Sequence, residues 1–335
     1  MPLQRNLFKI LEAHLVFKLN LLCIIFLLIG CSQPYSEQIS FPNYFPQDNR
    51  IQFDTVTKAQ IQLGKKLFFD TRLSIDNTVS CGTCHLPHLA FTDGKKISEG
   101  LKGHFSRHNA STLMNMGFSP TFMFDNRAQS LEIQSLIPLH DTNEMGGNIN
   151  AIYAVFEKDQ EIQKLAKKAY GTSLDGYALT RSLAAFIKSL IAADSKYDDY
   201  LKNHDETILT KEEQVGMKLF FGNKAKCNTC HSAPLFSNHK HYDLGIEKGN
   251  DRGLMGATHK KEDSARFKTP TLRNITVTAP YFHDGSEATL EEVIKIKCTQ
   301  SSKDYQAISL SALEQKQIIA FLKTLTDKKY MKPIK

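Results

Sequence analysis

Two five-residue segments, Cys81-Gly82-Thr83-Cys84-His85 and Cys227-Asn228-Thr229-Cys230-His231, constrain this chain more than any other feature. With 7 cysteines and 12 histidines in 335 residues, chance predicts on the order of 0.005 copies of the pattern C-x-x-C-H. Two copies therefore reflect chemistry. A thioredoxin-like thiol pair does not need the histidine, and a zinc site needs four ligands converging from both segments. Two thiols at this spacing can form thioethers to both vinyl groups of one haem, and the adjacent histidine is then held beneath the iron as its proximal ligand. Cys81, Cys84, Cys227 and Cys230 are accordingly read as attachment points for two c-type haems, with His85 and His231 as iron ligands.

Each segment sits inside its own copy of a helical pattern. Leu63-Gly64-Lys65-Lys66-Leu67-Phe68-Phe69 precedes the first, and Val215-Gly216-Met217-Lys218-Leu219-Phe220-Phe221 precedes the second. Far downstream of each comes a closing stripe: Leu183, Phe186, Ile187, Leu190 and Ile191 in the first half, Ile318, Phe321, Leu322 and Leu325 in the second. Both follow helical spacing. The expected fold is all-α, with two cytochrome c-like domains in tandem, each holding one covalently bound haem. The polar stretch Lys196 to Thr210 reads as the join, giving domains at 51–203 and 204–335. Asp93 to Ser106 and His241 to Thr269 read as loops.

The N-terminus reads as a targeting segment. Arg5, Lys9 and Lys18 precede the apolar run Leu21 to Ile29, which is too short to span a bilayer. Leu28-Ile29-Gly30-Cys31 resembles a bacterial lipoprotein signal, so residues 1–30 are expected to be removed and Cys31 to carry lipid, with 31–50 as a tether. Acyl chains contribute about 0.8 kcal/mol per buried methylene, enough to hold the protein at a membrane face. An ordinary signal peptide that contains a cysteine is the alternative. Either way the protein is expected in the bacterial periplasm or cell envelope. The formal charge of +7 is concentrated in no run of basic residues. A solvated surface, and no nucleic-acid partner, is the expectation; a basic rim that meets an acidic redox partner is the other reading.

Further motifs carry a family resemblance. Phe68-Phe69-Asp70-Thr71-Arg72-Leu73-Ser74, Ala90-Phe91-Thr92-Asp93-Gly94 and Asp125-Asn126-Arg127-Ala128-Gln129-Ser130-Leu131-Glu132 resemble the N-terminal half of bacterial dihaem cytochrome c peroxidases. Thr269-Pro270-Thr271-Leu272-Arg273-Asn274 and Ala279-Pro280-Tyr281-Phe282-His283-Asp284-Gly285-Ser286 resemble the C-terminal half. The likeness runs from about Leu63 to Leu325. The superfamily also contains the dihaem enzyme that matures the methylamine dehydrogenase cofactor. The resemblance implies a peroxidatic haem on His85, with Gln134 and Glu144 as distal glutamine and catalytic glutamate. A carboxylate beside bound peroxide can carry a proton from the inner to the outer oxygen, which then leaves as water. A calcium ion is implied between the haems, on the Asn109 side chain and the carbonyls of Thr278 and Pro280. So are a small cytochrome c or copper-protein donor at the C-terminal haem and a homodimer.

Three positions depart from the family pattern. Phe124 stands where the family has a tryptophan between the haems. Leu101 aligns with the histidine that blocks the first haem in many members, although His104 and His108 lie nearby. Lys297, fourteen residues beyond His283, aligns with the second haem's distal ligand, usually methionine. Lysine ligates iron only when deprotonated, which burial assists; adjacent Cys298, or Met255, could serve instead. Two other functions stay open: a dihaem oxidase of a protein or small molecule, and a plain electron-transfer cytochrome. Electron transfer alone needs neither Gln134 nor Glu144.

Overall fold

The helical periodicity is expressed almost where it is expected. A computed structural model describes residues 39–48, 53, 55–246 and 249–330. Its helices are α1 (Lys58–Phe68), α2 (Cys81–Cys84), α3 (Leu131–His140), α4 (Ile149–Glu157), α5 (Gln160–Tyr170) and α6 (Gly176–Lys188). They continue as α7 (Lys196–Asn203), α8 (Lys211–Phe221), α9 (Met255–Thr258), α10 (Leu290–Thr299) and α11 (Ala312–Lys323). The first helix of each half starts at a threonine whose side chain and a glutamine or glutamate three residues on cap each other: Thr57 with Gln60, and Thr210 with Glu213. The closing helices α6 and α11 stop a little before Ile191 and Leu325. Ser189 Oγ and Thr324 Oγ1 each donate to a carbonyl of the last turn, Phe186 and Phe321, both at 2.6 Å.

The two halves are built on the same crossing. α1 packs on α6 and α8 on α11. At each crossing a glycine removes the side chain that would hold the helices apart. A Cβ on Gly64 would fall inside the Ser182 carbonyl, and one on Gly216 inside the Gln317 carbonyl. An aromatic then locks each pair: Phe68 meets Phe186 at 5.0 Å between centroids, and Phe220 meets Phe321 at 5.2 Å.

One apolar cluster runs from Leu63 to Ala192 and a second from Tyr197 to Leu325. A third joins Phe41, Phe45 and Phe53 to Phe118, Ala185 and Leu235, so it draws on both halves. Within the stretch expected to be a tether, Ile39, Phe41 and Phe45 are buried. The expected join at Lys196 begins with a helix, because Ser195 caps α7 and Asp198 faces inward. Arg273, wholly buried, donates to both carboxylate oxygens of Asp198 at 2.9 Å, and to the Pro234 carbonyl at 2.7 Å. Tyr44 donates to the same carboxylate at 2.8 Å. A buried ion pair is tolerable only when hydrogen-bonded to this extent.

The loop expected over His241 to Thr269 contains a two-residue antiparallel ladder, β1 (His241–Tyr242) with β2 (Phe267–Lys268). Among the described residues no helix is long and apolar enough to cross a membrane. The signal segment and Cys31 lie outside the described residues.

Gly216→Ala and Gly64→Ala should each destabilise the haem-loaded protein by about 1–3 kcal/mol in denaturant unfolding, the range for overpacking a close contact. An unchanged midpoint in both would show that the helices separate without cost.

Candidate haem pockets

α2 carries Cys81 and Cys84 and ends at His85. The His85 Nδ1–H donates to the Phe91 carbonyl at 2.8 Å, which leaves Nε2 for a metal. That carbonyl reaches the ring because Ala90 and Phe91 both take left-handed backbone, with φ of 51° and 61°. The second site repeats the device: His231 Nδ1 donates to the Phe236 carbonyl at 3.1 Å, and Phe236 has φ 54°. A threonine pins each loop, Thr112 Oγ1 to the Ala90 carbonyl and Thr271 Oγ1 to the Leu235 carbonyl, both at 2.6 Å. Burial pushes both imidazoles toward the neutral, ligating form, with His231 lowered to about 4. Cys81, Cys84, Cys227, Cys230 and Cys298 form no disulfide. Free thiols beside an imidazole with an unspent Nε2 fit covalent haem at both sites.

Cys81, Cys84 and His85 line a cavity of about 1040 Å³, partly open to solvent, whose wall also holds Gln134 and Glu144. Gln134 comes from α3. Glu144 sits in the turn that follows it, where the Glu144 and Gly146 amides both donate to the Asp141 carbonyl, at 3.0 and 2.8 Å. Burial, and then the Asp141 carboxylate, raise the Glu144 pKa, while Arg127 and His108 pull it back. Phe124 and Asn109 line the same cavity.

Leu101 is buried, and its methyl lies 2.6 Å from where a Cβ on Gly146 would sit. Its amide donates to the Asn143 carbonyl at 3.2 Å. The loop is thereby fastened to the turn that carries Glu144. His104 is exposed. His108 does line the cavity, but its Nε2 is bonded to Asp251 at 2.7 Å, and Arg107 grips the same carboxylate at 2.8 and 3.1 Å. Asp251 is a site neighbour that sequence reasoning missed, since a lone aspartate in a loop gives no signal; Arg127 stood in a family motif but without a role at the site.

In the second half a buried lysine stands near the attachment cysteines. α10 opens with a capping box at Thr289, and the uninterrupted helix carries Lys297 in its last turn. The Lys297 ammonium lies 4.7 Å from the Tyr305 ring centre and 5.8 Å from that of Phe282. Burial lowers its pKa to about 8, against the opposing pull of Cys230 and Cys227. Tyr305, unforeseen from sequence, donates its hydroxyl to the Lys297 carbonyl at 2.6 Å. Cys298 packs on the second apolar cluster, and Met255 begins α9. In the first half, α3 opens at Ser130, and the residue as far along it as Lys297 is along α10 is Pro138.

Asn109, Thr278 and Pro280 come together on the wall of a second cavity between the halves, partly open to solvent, with about 850 Å³ of empty space. The Asn109 amide nitrogen donates to the Lys95 and Lys96 carbonyls at 2.8 and 3.3 Å, so these bonds do not use its oxygen. Among the described residues no three His, Cys, Asp or Glu side chains converge as metal ligands. A cation here would rest on carbonyl oxygens, which suits calcium.

A helical chain with two cysteine–histidine sites, each built on one crossing helix pair, has the architecture of a two-site c-type cytochrome. The family profile described as di-haem cytochrome c peroxidase matches residues 58–206. The chain is 29% identical to methylamine utilization protein MauG of Methylophilus methylotrophus, over 93% of this chain and 95% of that protein. It is 33% identical to cytochrome c551 peroxidase of Nitrosomonas europaea, over 79% of each. A crystal structure of a MauG-like protein associated with microbial copper homeostasis is similar with a TM-score of 0.77 and 31% identity, covering 88% of this chain and 97% of that one. The chain belongs to the di-haem cytochrome c peroxidase family. Membership implies two c-type haems and an oxidoreductase acting on peroxide.

Denatured, reduced protein should show two covalent c-type haems per chain by pyridine haemochrome and mass, and Cys227→Ala should bind one covalently through both thioethers instead of two. A wild-type preparation saturated by one haem would contradict the paired sites.

Proposed function

We propose that this protein reduces hydrogen peroxide to water in the first pocket, with electrons that enter at the second site from a small cytochrome c or copper protein. The observation that carries the reading is the placement of Gln134 and Glu144 on the wall of the cavity that also holds Cys81, Cys84 and His85. A haem bound there supplies the redox-active iron at which peroxide is reduced. Glu144 moves the proton between the peroxide oxygens, and its raised pKa brings it closer to a working range in which it can both take and give one. The Gln134 amide orients the peroxide. The matched positions Pro138 and Lys297 support a division of labour: a proline offers no ligand, so the first pocket stays open, whereas Lys297 closes the second. Residues 51–203 and 204–335 are the peroxidatic and electron-transfer lobes, bridged near Phe124. Calcium on Asn109, Thr278 and Pro280 would tie them together.

Export to the cell envelope, with lipid on Cys31, fits a peroxidase that meets external peroxide. The likeness to the MauG protein of Methylophilus methylotrophus across 95% of its length favours a second reading, oxidation of another molecule at peroxide's expense. Phenylalanine at position 124 is harder to oxidise than tryptophan, which weighs against a radical held there. Peroxide turnover with reduced cytochrome c, set against peroxide-dependent oxidation of candidate substrates, separates the two.

Glu144→Gln should keep both haem spectra and lower peroxide turnover roughly 10²-fold or more, as expected for a lost acid–base group. Unchanged turnover would assign the proton transfer to another residue. The fully oxidised protein should show one high-spin haem that accepts peroxide without prior reduction, and one low-spin haem that turns high-spin in Lys297→Ala. A second haem whose spectrum is indifferent to that substitution would remove Lys297 as its ligand.

A further inference from the structure

Reducing one peroxide to two waters takes up two protons as well as two electrons, and the cavity between the halves holds a cation with no assigned role. Lys268, on β2, lines that cavity. Its ammonium donates to the Thr121 carbonyl of the first half at 2.9 Å and to the Ser119 hydroxyl at 3.4 Å. Its amide donates to the Phe124 carbonyl at 2.9 Å. No carboxylate pairs with it among the described residues, and loss of water lowers its pKa to about 8. The titratable groups around it are His239 and Tyr281 on the same cavity wall, and His241 across the β1–β2 ladder. Asp125 and Asp263 act on His241. Ser111 from beside His85 and Pro270 from beside His231 line the cavity too, so Lys268 lies between the two haem sites. His239 leads from there toward solvent. It also lines a third cavity, partly open to solvent, with Glu132 and Lys188 on its wall. Its Nδ1 lies 3.4 Å from the Ser119 hydroxyl, the one that Lys268 reaches. Its Nε2 is buried and has no hydrogen-bond partner among the described residues. Burial, and then the Lys268 charge, lower its pKa to about 4. A neutral imidazole can accept a proton at one nitrogen while giving one up at the other.

We infer that Lys268 binds a proton as electrons enter the haem sites and releases it as they leave, and that His239 and Ser119 conduct that proton between Lys268 and solvent. Each electron that enters lowers the positive charge between the halves by one. A unit charge about 10 Å away in a protein interior shifts a proton equilibrium roughly ten-fold. An ammonium with no carboxylate to hold its proton responds to such a change. The balance is one electron in and one proton from solvent onto the Lys268 amine, which becomes ammonium. Reoxidation, by peroxide on the reading above, frees that proton at a cavity that shares Asn109, Ser111, Met123 and Phe124 with the first pocket. Below pH about 8 Lys268 is charged in both redox states, and the reduction equilibrium ignores pH. Above it the oxidised protein has lost the proton and the reduced protein keeps it, so reduction becomes harder as pH rises. By reciprocity, the proton that follows the electron also favours its entry.

The test uses the haem-loaded full chain and no peroxide. Spectroelectrochemical titrations at a series of pH values should find the reduction equilibrium of at least one haem flat at low pH. Above pH about 8 it should fall by up to roughly ten-fold per pH unit. Lys268→Met and Lys268→Arg should both abolish the fall while both haem spectra persist. Arginine keeps the charge and can keep the hydrogen bonds, but it does not give up its proton, so it would satisfy a structural role and not this one. In the second arm, hexaammineruthenium(II), a reductant that carries no proton, is mixed with oxidised protein and a pH indicator just above that pH. The wild type should take up protons on reduction, and Lys268→Met should take up fewer. His239→Phe should take up the wild-type amount several-fold more slowly. A reduction equilibrium in the wild type that is indifferent to pH, or a slope that survives in Lys268→Arg, would overturn the inference for Lys268. Uptake in His239→Phe as fast as in the wild type would remove the imidazole from the path. Failure of the protein to turn over peroxide with any donor would defeat the peroxidase reading and leave these results standing.

Discussion

The close crossing of two helices, made at Gly64 against Ser182 and again at Gly216 against Gln317, is the constraint on which the rest of each half depends. It brings the helix before the cysteine segment and the helix that closes the half into backbone contact. Phe186 and Phe321 are thereby set beside Phe91 and Phe236, each at 6.2 Å. Those two residues present the carbonyls that orient His85 and His231. A chain of fixed contacts therefore runs from a missing side chain to the direction of an imidazole. Without the crossing, the cysteines would still be present but the histidine would have no defined partner.

On this common frame the halves diverge by single residues at matched places. α3 and α10 begin at capping residues in corresponding positions, and the same distance along them one has Pro138 and the other Lys297. Pro138 lines the cavity that His85 also lines. The lysine, enclosed by Tyr305 and Phe282, is drawn toward its neutral form by burial.

The seam between the halves is specific rather than merely apolar. Arg273 of the second half anchors Asp198 of the connecting helix, and its guanidinium lies 4.9 Å from the Phe45 ring centre. Near the first cavity, Asp251 of the second half holds Arg107 and His108 of the first. His108 in turn meets Phe124 and His283 edge-on, each at 5.8 Å, and His283 stacks on Phe267 at 3.6 Å. Phe124, which the family resemblance aligns with a tryptophan, stands within this group of smaller rings. His108 meets Phe267 and His283 of the other half, and the Phe124 carbonyl accepts from the Lys268 amide at 2.9 Å, so this group of rings assembles only when both halves are folded.

Much of the site was legible in the chain itself. The cysteine–histidine segments are local, and so are the helical stripes and caps, because helix periodicity and capping act over only a few residues. The cavity wall was legible only by resemblance: nothing in the spacing of Gln134 and Glu144 brings them toward His85. The rest could not be read. Asp251 and Tyr305 matter because of what folding sets beside them, from distances of up to 144 residues along the chain. The stretch after Ser195 looked like a solvated join, since polar residues ordinarily are, until Arg273 supplied a buried partner for Asp198. The sequence alone determined which groups are available and which short elements they sit on, because those follow from neighbours in the chain. Which groups meet and which of them line a common cavity were decided by tertiary structure, because packing brings together residues whose order carries no record of their contact.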